Sequence, residues 1–181
     1  MSVGAIISGR KKHTNGIDFY QTPVWATKAL LERIEIKGTI LEPCSGAGAI
    51  AKLIPECIAS DIRYDDGVYG EKGKDIFEYS NNSFDTVITN PPFALAQEVI
   101  EKSLDISTKS VYMLLKLQFL ESARRYDFFK NTPLKTVRVF CKRITMYPDG
   151  EPEPKNSGTI AYAWYEWEHG YIGNPSIEWI L

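Results

Sequence analysis

Four consecutive residues, Asn90, Pro91, Pro92 and Phe93, put hydrogen-bond acceptors and an aromatic face on a backbone with little freedom. They follow Phe84-Asp85-Thr86-Val87-Ile88-Thr89, a short apolar run rich in β-branched residues, which reads as a buried strand. The proline after Asn90 pushes that residue out of the helical region and holds it extended. Pro91 and Pro92 have no N–H, yet each presents a carbonyl oxygen. Such a turn suits a planar group bearing an NH2: the Asn90 side-chain oxygen and the Pro91 carbonyl accept its two hydrogens, and Phe93 covers its face. A plain strand-end turn with Phe93 in the core has the same pattern. The choice rests on what the rest of the chain offers.

A second constellation lies upstream. Lys37-Gly38-Thr39-Ile40-Leu41 reads as a short strand that runs into Glu42-Pro43-Cys44-Ser45-Gly46-Ala47-Gly48, with a helix expected from Ala49 to Leu53. Strand, glycine turn and helix start is where open α/β sheets bind adenosine-containing cofactors, and Gly46 and Gly48 let a backbone come close to a ligand. A Gly-x-Gly alone is weak, since loops collect glycines for ordinary reasons. The third glycine of the dinucleotide fingerprint is missing and no Gly-Lys-Ser/Thr follows, which argues against nicotinamide cofactors and ATP. Glu56 to Asp61 reads as a second strand ending in an acid that can hold both ribose hydroxyls. After a turn region from Gly67 to Gly73, Asp75 stands beside Ile76 and Phe77, where it could accept from an adenine amino group while the apolar pair flanks the ring. Either acid alone reads as a solvated strand-end residue; together, on both sides of the glycine turn, they point to a site.

The remaining elements must position these groups. Thr22 is expected to cap a helix with Pro23 at its first position, running to about Arg33. A helix is expected over Ala94 to Leu104, a strand over Ser110 to Leu115, and a helix opening in Lys116 to Tyr126. Thr136 to Ile144 and Thr159 to Glu168 read as an antiparallel hairpin closing the sheet, with a loop from Tyr147 to Gly158. Residues 1–16 are polar and aperiodic and read as a flexible basic arm. Residues 17–181 read as one domain, in keeping with a length of 181 residues.

Composition narrows the class. Apolar content of 44% and aromatic content of 12% are those of a folded protein, and no apolar run approaches the length of a membrane span. The basic N-terminus lacks the apolar stretch of a secretory signal. Cys44, Cys57 and Cys141 lie far apart without a pairing pattern, which fits a reducing, cytoplasmic setting. The net charge is −2, so a nucleic-acid surface here has to be a local patch. Candidate phosphate contacts are Arg10, Lys11, Lys12, Lys116, Arg124, Arg125, Lys142 and Arg143, each of which could equally be a solvated charge.

Taken in order from Phe19 to Phe93, these motifs make the chain resemble the class I S-adenosylmethionine-dependent methyltransferases. Within them it is most similar to small phage and prophage DNA adenine-N6 methyltransferases with an Asn-Pro-Pro-aromatic turn. Phe119-Leu120-Glu121 with Arg125, and Ala161-Tyr162-Ala163-Trp164, add a looser likeness. The resemblance implies a Rossmann-like α/β fold: a seven-stranded, mostly parallel sheet with an antiparallel last strand and helices on both faces. It implies S-adenosyl-L-methionine as cofactor and no metal. Tyr20, Gln21, Thr22 and Pro23 would close over its methionine part, and Glu42, Pro43, Cys44, Gly46 and Gly48 would lie around it. Asp61 would hold the ribose, Asp75 and Ile76 the adenine, and Asn90 would border the cofactor as well as the acceptor. DNA is the expected partner, together with a second copy or an accessory subunit, because the short span from Gly48 to Asn90 has no room for a sequence-reading domain. RNA adenine, a protein glutamine amide, and a non-catalytic cofactor-binding role with a partner remain alternatives. Cys44 has no histidine near it in sequence to make it a nucleophile.

Overall fold

The computed structural model describes residues 20–148 and 158–181. Lys11 and Lys12, and the arm expected over 1–16, lie outside them. Ten strands are present: β1 (Tyr20–Gln21), β2 (Ile40–Glu42), β3 (Ile58–Asp61), β4 (Glu71–Lys72), β5 (Phe84–Thr89), β6 (Ser107–Lys116), β7 (Leu134–Phe140), β8 (Tyr147–Pro148), β9 (Tyr162–Glu168) and β10 (Ser176–Ile180). Three α-helices accompany them: α1 (Val24–Leu31), α2 (Ala96–Ile106) and α3 (Tyr126–Asn131). Eight strands form one sheet in the order β10-β7-β9-β6-β5-β2-β3-β4, while β1 and β8 pair separately.

The central strands are apolar because both their faces are covered. Along β5 and β6, successive residues point to opposite sides. Val87, Val111, Met113 and Leu115 join one core with Val99, Ile100 and Ile106 of α2, and Tyr165 and Trp167 of β9 complete it. Ile40, Ile88, Tyr112 and Leu114 join the other with Ala26, Ala29 and Leu30 of α1 and with Trp164. Trp164 is fully buried, and its indole N–H donates to the Ala26 carbonyl at 2.9 Å, tying β9 to α1.

The α/β class and the two helical layers are as expected, with three corrections. The sheet has eight strands where seven were expected. Its antiparallel member is β9, inserted between β6 and β7, and the last strand β10 runs parallel to β7. β10 was hard to see because it is an edge strand: Ile177 and Trp179 face outward, and only Ile180 is buried. Two expected helices also shrink. Ala49 to Leu53 gives only a 3-10 turn at Ala51–Leu53, and Lys116 to Tyr126 gives 3-10 turns at Leu117–Leu120 and Ala123–Arg125 before α3.

At the amino end of the sheet, Asp85 pins three strands in register. Its carboxylate accepts from the Thr39 N–H at 2.9 Å and the Thr39 hydroxyl at 3.2 Å, ahead of β2. It also accepts from Thr108 at 3.3 Å and pairs with Lys109 at 3.0 Å on β6. Gly38, with φ +92, passes so close that a β-carbon would collide with this carboxylate. The Thr39 N–H, then Lys109, pull the Asp85 carboxyl down to about 2. Its stabilising effect is therefore complete above the ordinary value of 3.8 and is lost as pH falls toward 2. Asp85→Asn is expected to lower the urea midpoint at pH 7. The gap to wild type should close between about pH 4 and pH 2; a gap independent of pH would exclude this role.

Candidate functional site

The chain leaves β2 toward β3 and β4 on one side, and returns to β5 and β6 on the other. At such a reversal a crevice opens beyond the carboxyl ends of the strands. Glu42 ends β2, Asp61 ends β3, and Asn90 follows β5 directly, so the sequence motifs converge on this crevice.

Asn90 is held by its amide. The Nδ2 group donates to the Tyr20 carbonyl at 3.3 Å and to the Thr22 hydroxyl at 3.1 Å. A carbonyl can only accept, so this end of the amide is the NH2, and the other end is fixed as the oxygen. That Oδ1 is buried and has no hydrogen-bond partner. Leaving such an acceptor unpaired costs about 1–3 kcal/mol, which a ligand N–H would recover. The Thr22 hydroxyl, expected to cap α1, holds Asn90 instead; α1 begins after Pro23 with no side-chain cap. The Tyr20 carbonyl is in turn carried by β1, which pairs antiparallel with β8, Tyr20 opposite Pro148 and Gln21 opposite Tyr147. Pro91 is buried, and the Pro92 carbonyl is taken by the Leu95 N–H at 3.0 Å.

The glycine turn is locked by acids and by an element that sequence reasoning missed. Gly46 and Gly48 both have positive φ, 50° and 82°. The Gly46 N–H donates to Asp61 Oδ2 at 2.9 Å, and the Arg63 N–H donates to Asp61 Oδ1 at 2.9 Å. Tyr69 lies across the turn: its N–H donates to the Gly46 carbonyl at 2.8 Å, and its carbonyl accepts from the Ser45 hydroxyl at 2.6 Å. A β-carbon on Gly48 would meet the Tyr69 ring at 2.6 Å, so the space freed by this glycine is filled from within the chain. An aromatic residue in a turn-like stretch gave no signal of this contact.

Glu42 is 2% exposed and accepts from the Ala51 N–H at 2.7 Å. Burial, with a further push from the Asp61 charge, raises its carboxyl well above the ordinary 4.5. Burial and then the charges of Asp61, Glu42 and Asp75 raise the Cys44 thiol, which leaves it unsuited to nucleophilic attack. Pro43 is buried beside it. Asp75 opens a short 3-10 turn by accepting from the Phe77 N–H at 3.1 Å. Ile76 is 5% exposed and belongs to the core under α2, leaving Asp75 and Phe77 as the partly open members.

On the other side of Asn90, Phe93 is half-buried. The Lys116 ammonium rests 4.3 Å from its ring centroid, and the Tyr162 ring lies 5.9 Å away, tilted. A pocket of about 240 Å³ adjoins it, lined by Phe93, Ala96, Leu115, Lys116, Gln118, Phe119 and Arg125. The other candidate cations lie apart from this pocket's lining. Arg124 and Arg143 are exposed, and Lys142 sits 5.2 Å over the Trp25 ring of α1. Among the described residues no helix is long and apolar enough to cross a membrane.

No model of a known protein family matches the chain, and no curated protein matches it significantly. Solved structures do. A proposed class I S-adenosylmethionine-dependent methyltransferase from Listeria monocytogenes superposes with a TM-score of 0.61 at 14% identity, over 97% of this chain and 70% of its own. A proposed RNA methyltransferase from Pyrococcus horikoshii gives 0.58 at 18% identity, over 93% and 98%. The modification subunit of a proposed type I restriction enzyme from Vibrio vulnificus gives 0.56 at 12% identity, over 96% of this chain and 48% of its own. The fold is that of the class I methyltransferases.

Within that fold the buried Glu42 makes a pH signature. A carboxyl whose folded value is raised holds its proton more tightly when folded, so stability falls as pH climbs from about 4.5 toward the raised value. Glu42→Gln keeps an acceptor for Ala51 and removes the titration. The melting temperature of the variant relative to wild type is expected to rise between pH 5 and pH 8. A difference that stays flat or shrinks with pH contradicts a buried, proton-retaining Glu42.

Proposed function

We propose that this protein is an S-adenosylmethionine-dependent methyltransferase whose acceptor is the exocyclic N6 amino group of adenine in DNA. The observation that carries the reading is the buried, unpartnered Oδ1 of Asn90, oriented as an acceptor by Tyr20 and Thr22. An amine or amide has one N–H for this oxygen and a second for the Pro91 carbonyl, where a hydroxyl has a single hydrogen to donate. The carboxylates of Asp61 and Asp75 suit a cofactor bearing a sulfonium and an ammonium, and would repel the pyrophosphate of a dinucleotide. Glu42 would face the amino-acid end, Asp61 the ribose and Asp75 the adenine, with Gly46, Pro43 and Cys44 forming the floor and Tyr20 to Pro23 the near wall.

When bound, the cofactor supplies an electrophilic methyl carbon on a sulfonium, which leaves as a neutral thioether. Asn90 Oδ1 and the Pro91 carbonyl accept the two hydrogens of the aryl amine, whose lone pair is otherwise delocalised into the ring, and favour a more pyramidal nitrogen. Each hydrogen bond contributes about 1–3 kcal/mol, whereas holding the amine in line is worth on the order of 7–11 kcal/mol. Positioning dominates, and a turn with two prolines provides it. The alkylated nitrogen is acidic and gives its proton to solvent. Phe93 would cover the base, adding roughly 1–3 kcal/mol of stacking, and a duplex must flip the adenine out to reach it. Specificity beyond the base would come from a second copy or an accessory subunit; the Vibrio relative is by its name one subunit of a modification enzyme.

Incubation with labelled S-adenosylmethionine and parallel DNA, RNA and protein acceptors is expected to mark DNA and to release N6-methyladenine on digestion. Asn90→Ala should reduce the rate about 100-fold or more, the scale of losing a transition-state hydrogen bond. Label in RNA or in a glutamine amide replaces the acceptor class, and cofactor binding with no label in any polymer rejects catalysis. Thr22→Val removes one of the two bonds that orient the Asn90 amide. It is expected to lower kcat several-fold with little change in melting temperature, and an unchanged kcat would dismiss Thr22 as an orienting residue.

A further inference from the structure

The pocket beside Phe93 extends away from the glycine turn, and its charge is unbalanced. Lys116 ends β6, and Arg125 ends the 3-10 turn before α3. The Arg125 Nε donates to the Phe119 carbonyl at 2.8 Å and Nη2 to the Glu121 carbonyl at 3.1 Å, while the guanidinium lies 4.4 Å over the Phe119 ring. These contacts fix the group without cancelling its charge. Among the described residues no carboxylate lies within ion-pair distance of Lys116 or Arg125. Several other cations among the described residues do have such partners: Lys72 with Asp66, Lys74 with Glu78, Lys135 with Glu168, and Arg138 with Glu166 and Glu178. Two uncompensated cations thus share one pocket of about 240 Å³, floored by aromatic rings.

We propose that this pocket binds a phosphodiester of a nucleic-acid strand, the one flanking the target base, with Lys116 and Arg125 as its two cationic contacts. The inference rests on the reading of the Asn90 turn as a site for a nucleic-acid amine and names the groups that bring the strand to it. Its second element is the position of Lys116. The ammonium occupies one face of Phe93, where an incoming base would stack, and must move off for that face to be used. A phosphate held by the anchored Arg125 gives the ammonium a place to go, so that seating the strand and opening the aromatic face become one event. A peptide carrying a glutamine offers no such fixed anion.

The test is binding of a fluorescein-labelled 12-nucleotide single strand to the full chain, by anisotropy, from 50 to 200 mM salt. Each phosphate contact on a single strand adds about 0.7 to the slope of log affinity against log salt. Lys116→Gln is expected to reduce the slope by about 0.7 and Lys116→Arg to restore it, whereas Lys37→Gln, at the amino end of β2, should leave it unchanged. Arg125→Gln should remove a similar increment, with its melting temperature measured in parallel because its carbonyl contacts also hold the turn. An unchanged slope in Lys116→Gln, no binding by wild type at 50 mM salt, or equal competition by poly-glutamate overturns the proposal. Binding with the expected slopes but no methyl transfer to any polymer leaves the phosphate pocket standing and removes the amino-methyltransferase reading, so the two fail separately.

Discussion

The hydrogen bonds from the Asn90 amide to the Tyr20 carbonyl and the Thr22 hydroxyl join parts of the chain about seventy residues apart, and they decide which way the amide faces. An asparagine on a surface turn can rotate or flip its amide at little cost. Here the NH2 end is consumed, so only the oxygen remains for a ligand. The support reaches back through the fold: the Tyr20 strand is paired by β8, Thr22 precedes α1, and α1 is fastened to β9 by the Trp164 indole. One acceptor is therefore positioned by elements from both ends of the described chain. An acceptor held so firmly pays no reorganisation at the moment of reaction, which is where preorganised dipoles gain most.

Charge is divided along the same crevice. Glu42, Asp61 and Asp75 lie on the side of the glycine turn, where burial raises the Glu42 carboxyl. Lys116 and Arg125 gather on the side of Phe93. Asn90 lies between them, a neutral group whose dipole serves either neighbour. The overall charge of −2, a sum over 21 Lys and Arg and 23 Asp and Glu of the whole chain, gives no sign of this local division. A cation and an anion drawn to opposite ends would meet at the asparagine, which suits a reaction joining a cationic donor to a strand of polyanion.

Sequence made the strand–turn–strand order legible because β2, β3 and β5 end in residues that cannot continue a buried strand: an acid before proline, an acid before a polar turn, an asparagine before two prolines. The buried strands β5 and β6 were legible from their apolar runs, whereas their parallel arrangement came only with the family resemblance. What escaped was tertiary in origin. Thr22 next to Pro23 has the local chemistry of a helix cap, and only the fold reveals that its hydroxyl is claimed by a residue far along the chain. Gly48 reads as space for a ligand, yet Tyr69 fills that space, an outcome that no spacing rule encodes. Both edge strands escaped: β10, with Ile177 and Trp179 facing outward, lacks the burial that makes strands readable, and the two exposed residues of β4 fell inside the stretch from Gly67 to Gly73 read as a turn. The expected helix after β6 broke into 3-10 turns because Arg125 is drawn back onto the Phe119 and Glu121 carbonyls.

Proton handling follows from what the crevice does and does not offer. His169, the histidine among the described residues, bonds Ser107 at 3.0 Å at the amino end of β6, the opposite end of the strand from the crevice. Burial raises both the Cys44 thiol and the Glu42 carboxyl, and Glu42 is already engaged as acceptor of the Ala51 N–H. The groups that hold the Asn90 amide, the Tyr20 carbonyl and the Thr22 hydroxyl, cannot act as strong bases near neutral pH. A reaction that required prior deprotonation of its nucleophile would be badly served here. An amine needs no such step: it attacks with its own lone pair and becomes acidic only afterwards, when solvent suffices to take the proton. On the proposed reading, the fixed acceptor at Asn90 serves to hold the nucleophile, which needs no activation by proton removal.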